Sequence, residues 1–273
     1  MLDSTVQNQP AGAGFKTADD GFVWHEVVVG DLSKGLILIC DHACNGFPEK
    51  YGSLGLPPSE LQRHIAYDIG VDGLTRQLAK KLGVPAVLTK FSRLLIDPNR
   101  GLDDPTLIMR LSDGFVVPGN AEIDDSERQH RIAAYYQPYH DEIASLIDEA
   151  FESGVVPALL SIHSFTPMWK GTPRPWHAGL LWDARDRRFS DAMVEALSAD
   201  PYLVVGDNEP YRGGLPGDTV DVHGTHRGIA SALLEVRQDL IGDDAGVAEW
   251  CARLAQILPG IIELPQLHEQ LSS

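Results

Sequence analysis

The chain has 273 residues, and its 39 Asp and Glu against 22 Lys and Arg give a formal net charge of −17. That balance argues against a nucleic-acid partner, because a phosphate-binding surface needs a basic stripe to release counterions. A hydrophobic content of 43% and a charged content of 22% are those of a globular protein, not a disordered one. A small anionic ligand is compatible with this charge, since it needs only a few well-placed arginines.

Cysteine usage and the N-terminal residues indicate a cytoplasmic protein. Cys40, Cys44 and Cys251 are an odd number without framework spacing, so we expect no disulfide scaffold. Residues 1–20 lack the basic and apolar segments of a secretory signal, and we interpret them as a flexible polar arm. No apolar run approaches the roughly 20 residues of a membrane span, so no membrane partner is expected. Apolar helix faces leave room for a homo-oligomer, which no pattern specifies.

Strand and helix patterns alternate over residues 21–273, which predicts a single α/β domain. The apolar run Leu36–Cys40 predicts a strand buried on both faces, as in a parallel sheet. A capping box at Ser59–Gln62 predicts that a helix begins there and ends near Gly83. Pro85–Thr89 predicts the next strand, and together these elements form a βαβ unit.

The alternation continues to the end of the chain. Residues 98–125 are rich in Gly, Asp and Pro, which predicts a long loop that is either functional or disordered. A long amphipathic helix follows over 127–152, where His130 and His140 are expected at the surface. Later strands are predicted over 156–162, 179–182, 202–205 and 232–236, and later helices over 187–198 and 246–258. The predicted fold is a mostly parallel mixed sheet flanked by helices.

Polar residues follow or end several predicted strands. Ligands of open α/β sheets bind beyond the carboxyl ends of the strands. Asp41 and His42 follow the first strand, His163 follows the strand over 156–162, and Glu235 lies in a late strand. Histidine and carboxylate are ligands that zinc favours. On spacing alone, a metal site and ordinary buried histidines remain equal alternatives.

Five strings, in order, resemble the N-formylglutamate amidohydrolase family over about residues 34–260. They are Cys40–Pro48 (CDHACNGFP), His64–Gly70 (HIAYDIG), Arg93–Arg100 (RLLIDPNR), Ser161–Ser164 (SIHS) and Glu235–Leu240 (EVRQDL). The strings around His163, Glu235 and Asn99 also resemble the zinc carboxypeptidase and aspartoacylase superfamily. The resemblance implies a zinc-exopeptidase-like fold (phosphorylase/hydrolase-like) and a hydrolase that cleaves the amide bond of an N-acyl amino acid. N-formylglutamate is the namesake substrate.

The same resemblance implies that His42 and His163 bind one Zn²⁺ ion per chain. The third ligand stays open. The carboxypeptidase pattern has a glutamate three residues after the first histidine, where this chain has Asn45, a poor zinc ligand. Asp68, expected on the helix that follows His42, is the preferred ligand. Asp41 is the remaining choice. Alternatively, Asp41 does not bind the metal and instead orients a ligand histidine.

The implied mechanism assigns a role to each remaining group. Zinc would lower the pKa of its bound water toward about 7, and Glu235 would take the water proton and pass it to the departing amine. Arg100 is expected to bind an anionic N-acyl amino acid, with Asn99 donating a hydrogen bond beside it. Arg93 either binds substrate or forms a structural pair with Asp97.

Other polar residues receive weaker assignments. His223 and His226 lie in a Gly-containing loop before the Glu235 strand, where they either contact the substrate carbonyl or lie in solvent. Arg237 shares a strand face with Glu235 and is expected to help position that carboxylate. Tyr211 is expected to close over the ligand.

Two alternative functions stay open. One keeps zinc but changes the substrate to a peptide, as in a carboxypeptidase or a cell-wall amidase, although a cytoplasmic location weighs against cell-wall work. The other is a catalytically silent member of the fold that binds a metabolite, and the Asn45 departure motivates it. The joint presence of His42, His163 and Glu235 argues against the silent member, because a binding module needs no general base.

Overall fold

Strands and helices alternate along the chain, as the sequence predicts. The computed structural model describes residue 21 and residues 23–272, so the arm predicted over residues 1–20 lies outside the described residues. The strands are β1 (His25–Val28), β2 (Leu36–Cys40), β3 (Ala86–Thr89), β4 (Leu111–Ser112), β5 (Phe115–Val116), β6 (Ala158–Phe165), β7 (Met168–Trp169), β8 (Thr172–Pro173), β9 (Ala178–Leu181), β10 (Val205–Asp207) and β11 (Ser231–Arg237). The α-helices are α1 (Val71–Leu82), α2 (Asp125–Arg131), α3 (Gln137–Glu152), α4 (Arg188–Ser198), α5 (Thr219–His223) and α6 (Asp244–Ile262).

Seven of the described strands form one mixed sheet in the order β1-β3-β2-β6-β11-β9-β10. β2 pairs in parallel with β3 and β6, β6 with β11, and β9 with β10. β1 lies antiparallel to β3, and β9 lies antiparallel to β11. The predicted α/β fold with a mostly parallel mixed sheet is therefore confirmed, and β2, α1 and β3 form the predicted βαβ unit.

The central strand β2 explains why helices cover both faces of the sheet. All of its side chains are buried. Leu36 and Leu38 join the core formed with α1 and α6, while Ile37 and Ile39 pack against α3 on the opposite face. Successive strand side chains point to opposite faces, so an unbroken apolar run requires a helix layer on each side. No helix among the described residues is both long enough and apolar enough to cross a membrane.

The helix predicted from Ser59 is wrong in its start. Glu60–Gln62 form a single 3₁₀ turn, the Ser59 side chain makes no capping hydrogen bond, and α1 begins at Val71. Gly70 precedes α1 in the left-handed conformation, with φ of 84°, which prevents the helix from extending backward. Asp68 therefore lies in the loop before α1 and not on the helix.

The long helix predicted over 127–152 contains an irregular turn. A π-helical segment, Ile132–Tyr136, joins α2 to α3. A π turn inserts one extra residue and so rotates the helix surface that follows it. Tyr139 and His140 are consequently buried, whereas His130 is half-buried. The surface position predicted for His140 is wrong for this reason.

Two strands differ in position from their predictions. β6 extends to Phe165, because β11 pairs with it in parallel along its whole length and aligns Glu235 with His163. His163 therefore lies within the strand and does not follow it. The strand predicted over 202–205 begins only at Val205, since a turn with a Leu203 N–H to Asp200 carbonyl hydrogen bond precedes it.

Gly179 lets a loop lie directly on the sheet beside Glu235. The two residues are partners in the β9–β11 pairing. A Cβ atom on Gly179 would lie 1.7 Å from the carbonyl oxygen of Glu209, far inside van der Waals contact. The loop that follows Glu209 carries Tyr211, so the absence of a side chain at position 179 positions one wall of the candidate site.

We expect Gly179→Ala to lower the free energy of unfolding by about 1–3 kcal/mol, because the new methyl group forces the backbone of the loop away. Urea unfolding measures the change. Gly260→Ala is the matched control: it lies inside α6 with no atom near its added Cβ, so it should be neutral or stabilise by up to about 1 kcal/mol. Equal effects of the two variants would contradict this explanation.

Candidate active site

Three side chains from separate elements converge at the carboxyl end of β2 and β6. His42 follows β2, His163 lies in β6, and Asp68 lies in the loop before α1. The backbone N–H of Asp68 donates to the carbonyl of His42 (3.0 Å). Asp68 Oδ2 lies 2.9 Å from His163 Nδ1 and 3.4 Å from His42 Nδ1. All three side chains are buried, and their ligand atoms lie within 4.8 Å of one another. The structure thus brings the three predicted metal ligands together.

The outer nitrogen of each histidine is held by a buried carboxylate. His42 Nε2 lies 2.8 Å from Asp97 Oδ1, and His163 Nε2 lies 2.9 Å from Asp41 Oδ2. Because an ionised carboxylate only accepts, each Nε2 carries a proton, and each ring, when neutral, offers its Nδ1 lone pair toward Asp68. This carboxylate–histidine arrangement is the one that orients metal-ligating imidazoles.

Three electron-rich atoms that point at one another need a cation between them. A proton can serve: burial alone would lower the pKa of His163, but its hydrogen bonds to Asp41 and Asp68 raise that pKa to about 10. A metal ion fits the same position, because two imidazole nitrogens and one carboxylate oxygen are a ligand set that divalent metals bind. The group formed by His42, Asp68 and His163 could therefore hold a metal.

Asp41 lies on the side of His163 that faces away from Asp68, and it accepts four hydrogen bonds there. One oxygen accepts hydrogen bonds from the Tyr139 hydroxyl (3.0 Å) and the Thr219 hydroxyl (2.7 Å). The other oxygen accepts from Ser161 (2.9 Å) and His163. Although the carboxyl group is fully buried, these bonds hold its pKa well below the usual range. Its position behind His163 supports the orienting role rather than metal ligation.

Arg93 and Asn45 lie where their geometry limits them to different roles. Arg93 pairs with Asp97 (Nη2 to Oδ2, 2.7 Å) and also approaches Asp68 Oδ1 (3.5 Å) from the cavity side. Arg93 thus forms the structural pair and lines the cavity. Asn45 donates its side-chain N–H to the carbonyl of Leu61 (2.8 Å), away from the point where the ligand atoms meet.

Glu235 stands beside His163 with an uncommitted oxygen. The side chain is 6% exposed, and its Oε2 has no hydrogen-bond partner among the residues that the structure describes. Burial raises the pKa of Glu235 to about 8, and the negative charge of Asp68 adds to this, against the lowering effects of His163 and Arg93. A carboxyl group with such a pKa can both take and give a proton near neutral pH.

These groups open into a cavity of about 260 Å³. The residues already discussed that line it are His42, Asp68, Arg93, His163 and Glu235, and the predicted Asn99, Arg100 and Tyr211 join them. The polar lining residues that were not predicted include Arg212, Asp218 and Gln238. The site is therefore a pocket with charged side chains of both signs on its walls.

Asn99 and Arg100 present donors to this cavity. The backbone N–H of Thr219 donates to Asn99 Oδ1 (3.1 Å), which leaves the amide N–H₂ group of Asn99 for the cavity. Arg100 donates to the carbonyl of Asn99 (2.8 Å), and it has no carboxylate within ion-pair distance in residues 23–272. The Tyr136 hydroxyl donates to the carbonyl of Arg100 (3.1 Å) and fixes its backbone.

Two of the predicted site residues lie outside the cavity. Among the described residues, those that line the cavity do not include His223 or Arg237. The Arg237 guanidinium pairs with Asp239 (2.7 Å) instead of contacting Glu235. His226 is largely exposed, in agreement with the solvated alternative. Residue spacing alone does not reveal these contacts.

His223 forms a buried pair with His140. His140 Nε2 lies 2.9 Å from the carbonyl of Pro98, and since a carbonyl only accepts, Nε2 is the donor. His140 Nδ1 then accepts the proton of His223 Nε2 at 2.8 Å. Both rings are neutral in this arrangement. Burial, together with the neighbouring His140, lowers the pKa of His223 to about 3.

Asp218 could have been found from the sequence, whereas Gln238 could not. Asp218 accepts the N–H of Asp221 (2.7 Å) and so caps α5, a pattern that an Asp before an apolar segment signals. Burial raises the pKa of Asp218 to about 6. Gln238 belongs to a string that carries the family resemblance, yet no pattern distinguishes a buried glutamine from a surface one.

Comparison with known proteins assigns the chain to a family. The sequence profile of the N-formylglutamate amidohydrolase family matches residues 34–242. Gene product Atu2144 of Agrobacterium tumefaciens is 30% identical, with 92% of this chain and 99% of that chain aligned and a TM-score of 0.84. N-formylglutamate amidohydrolase of Ralstonia eutropha JMP134 is 23% identical over 88% of this chain and 97% of that chain, with a TM-score of 0.62, and it shares the fold. Among curated proteins, none matches. The chain belongs to the N-formylglutamate amidohydrolase family, and it is an amidohydrolase.

The neutral histidine pair predicts a pH-dependent stability. Between about pH 6.5 and pH 3 the unfolded chain protonates His223 while the folded protein does not, so the free energy of unfolding falls as the pH falls. His223→Gln keeps a donor for His140 and removes this titration. Urea unfolding at pH 7 and pH 5 should show a shallower loss for the variant, by at most about 1.4 kcal/mol per pH unit. The exposed His226→Gln is the control and should follow the parent; a parent-like slope for His223→Gln would refute the pairing.

Proposed function

We propose that this protein is a zinc-dependent amidohydrolase that cleaves the amide bond of an N-acyl amino acid of the N-formylglutamate type. One observation carries the proposal: the Nδ1 atoms of His42 and His163 and a carboxylate oxygen of Asp68 converge beside Glu235, whose Oε2 has no hydrogen-bond partner among the described residues. Three protein ligands with an open position characterise catalytic zinc sites. The described residues contain one such group, in agreement with one ion per chain.

In this proposal Glu235 carries out both proton transfers of the reaction. Zinc, when bound, supplies Lewis acidity, which makes water a nucleophile near neutral pH and polarises the scissile carbonyl. Glu235 takes a proton from the attacking water as the oxygen–carbon bond forms. It then delivers this proton to the nitrogen as the carbon–nitrogen bond breaks, which releases the free amine and a carboxylic acid. The buried position of Glu235 suits both steps, because its pKa of about 8 lies close to neutral pH.

In this proposal the hydrogen-bond donors on the cavity wall bind the substrate. The guanidinium of Arg100 and the side-chain amide of Asn99 are positioned to bind a carboxylate. Arg212 adds a second cation without an ion-pair partner in the described part of the chain. A cavity of about 260 Å³ lies near the lower end of the range of small-molecule sites, which favours a small acyl amino acid over a peptide.

The test compares metal removal with loss of the general base. Stripping the protein with a chelator should abolish the release of glutamate from N-formyl-L-glutamate, and added Zn²⁺ should restore it. Glu235→Gln should bind zinc like the parent but lower kcat by about 10²- to 10⁴-fold, since it removes proton transfer and not a ligand. Metal analysis and an amine-release assay measure the two effects. The exposed Glu149→Gln is the matched control.

Three results would contradict the proposal. Full activity after metal removal would exclude the metal's role, and full activity of Glu235→Gln would exclude the general base. Stoichiometric zinc without hydrolysis of any N-acyl amino acid would favour the catalytically silent alternative.

A further inference from the structure

Besides Glu235, one more side chain of the cavity has a buried polar atom without a hydrogen-bond partner among the described residues, and the proposed chemistry does not use it. Gln238 follows β11 directly and begins a 3₁₀ turn that ends at Leu240. Its side chain is 7% exposed and lines the cavity together with Glu235. Its Nε2 is buried and has no hydrogen-bond partner within the described part of the chain.

A buried amide N–H without a partner is costly, and folded proteins keep few of them. The cost arises because the group has lost its hydrogen bonds to water and gained none from the protein. Methionine or leucine would fill the same space without this cost. The glutamine at position 238 is therefore best explained if an acceptor reaches Nε2 when the cavity is filled.

The backbone on both sides of Gln238 is held firmly. The Ile241 N–H donates to the Gln238 carbonyl (3.3 Å), and the Ile241 carbonyl lies against Gly70, where a Cβ atom would come within 2.1 Å. The turn is thus packed on the loop that carries Asp68. On the other side, the Arg237 N–H donates to the carbonyl of His177 (3.0 Å). The Gln238 side chain is presented from a rigid support, as a binding residue requires.

Arg237 gains a role in this arrangement. Its guanidinium is bound to Asp239 and to the backbone carbonyls of Arg174 (3.3 Å) and Trp176 (3.2 Å). These contacts clamp the two residues that flank Gln238. Arg237 therefore acts as a positioning residue for Gln238 rather than for Glu235.

We propose that Gln238 is a substrate-binding residue whose Nε2 donates a hydrogen bond to an oxygen of the N-acyl amino acid. An amide N–H only donates, so its partner is a carboxylate or carbonyl oxygen. The inference rests on the proposed function and extends it, since Gln238 acts on bound substrate and takes no part in proton transfer. Together with Asn99, Arg100 and Arg212, it gives the cavity an excess of donors that matches an oxygen-rich anionic substrate.

The test is Gln238→Met, which keeps the size of the side chain and removes both its donor and its acceptor. In zinc-loaded protein we expect kcat/KM for N-formyl-L-glutamate to fall roughly tenfold, with the loss in KM and kcat nearly unchanged. The melting temperature should stay the same or rise, because the variant removes an unpartnered buried donor. A merely structural role predicts the opposite pair of results, a lower melting temperature with an unchanged KM.

A matched control separates the two effects. Ser190→Ala removes a different buried polar group, a hydroxyl in α4 that lies outside the cavity and has no partner among the described residues. It should leave KM unchanged. A Gln238→Met loss that persists with N-formyl-L-2-aminobutyrate assigns the contact to the α-carboxylate or acyl oxygen; a loss confined to N-formyl-L-glutamate assigns it to the side-chain carboxylate.

The results also distinguish this inference from the function on which it rests. If the parent protein hydrolyses N-formyl-L-glutamate and Gln238→Met has the same KM, or loses only kcat, the role of Gln238 is overturned and the function stands. If the parent protein does not hydrolyse the substrate, the proposed function fails and this inference fails with it.

Discussion

A single buried carboxylate, Asp41, holds the site together. Its two oxygens accept hydrogen bonds from β6, from α3 and from α5, through Ser161 and His163, Tyr139, and Thr219 respectively. Because each donor occupies one lone-pair direction, the carboxylate fixes the proton of His163 on Nε2 and leaves Nδ1 for the metal position. The hydrogen bond from the Thr219 hydroxyl to Asp41 also fixes the position of Thr219, whose backbone N–H donates to Asn99 and orients it. The residues proposed to bind the metal and the substrate therefore depend on one buried charge.

The charge distribution separates the surface from the site. The chain carries a net charge of −17, so its surface repels an anionic substrate. Inside the cavity, Arg100 and Arg212 have no ion-pair partner among the residues described. Two of the negative groups nearby already have partners: Asp97 pairs with Arg93 and His42, and Asp68 faces the two histidines. The proposed anion binding is thus a local property of the cavity, in contrast to the overall charge.

The sequence was informative where a pattern has one structural outcome. Unbroken apolar runs predicted the central strands, and the polar residues at their ends predicted the positions of His42, His163 and Glu235. Prediction failed where backbone geometry decides. The left-handed Gly70 placed Asp68 in a loop, and the π turn before α3 buried His140. Gln238 was missed because an unpartnered amide is defined only by its surroundings in the folded chain.

The most direct test of the central claim is X-ray absorption spectroscopy of the zinc-loaded protein, together with its His163→Ala variant. The structure predicts that nitrogen and oxygen atoms alone surround the metal and that two imidazole rings contribute to the scattering, since His42, His163 and Asp68 provide the ligand atoms. The imidazole contribution should fall by half in His163→Ala. A sulfur ligand, or a spectrum that His163→Ala leaves unchanged, would contradict the account.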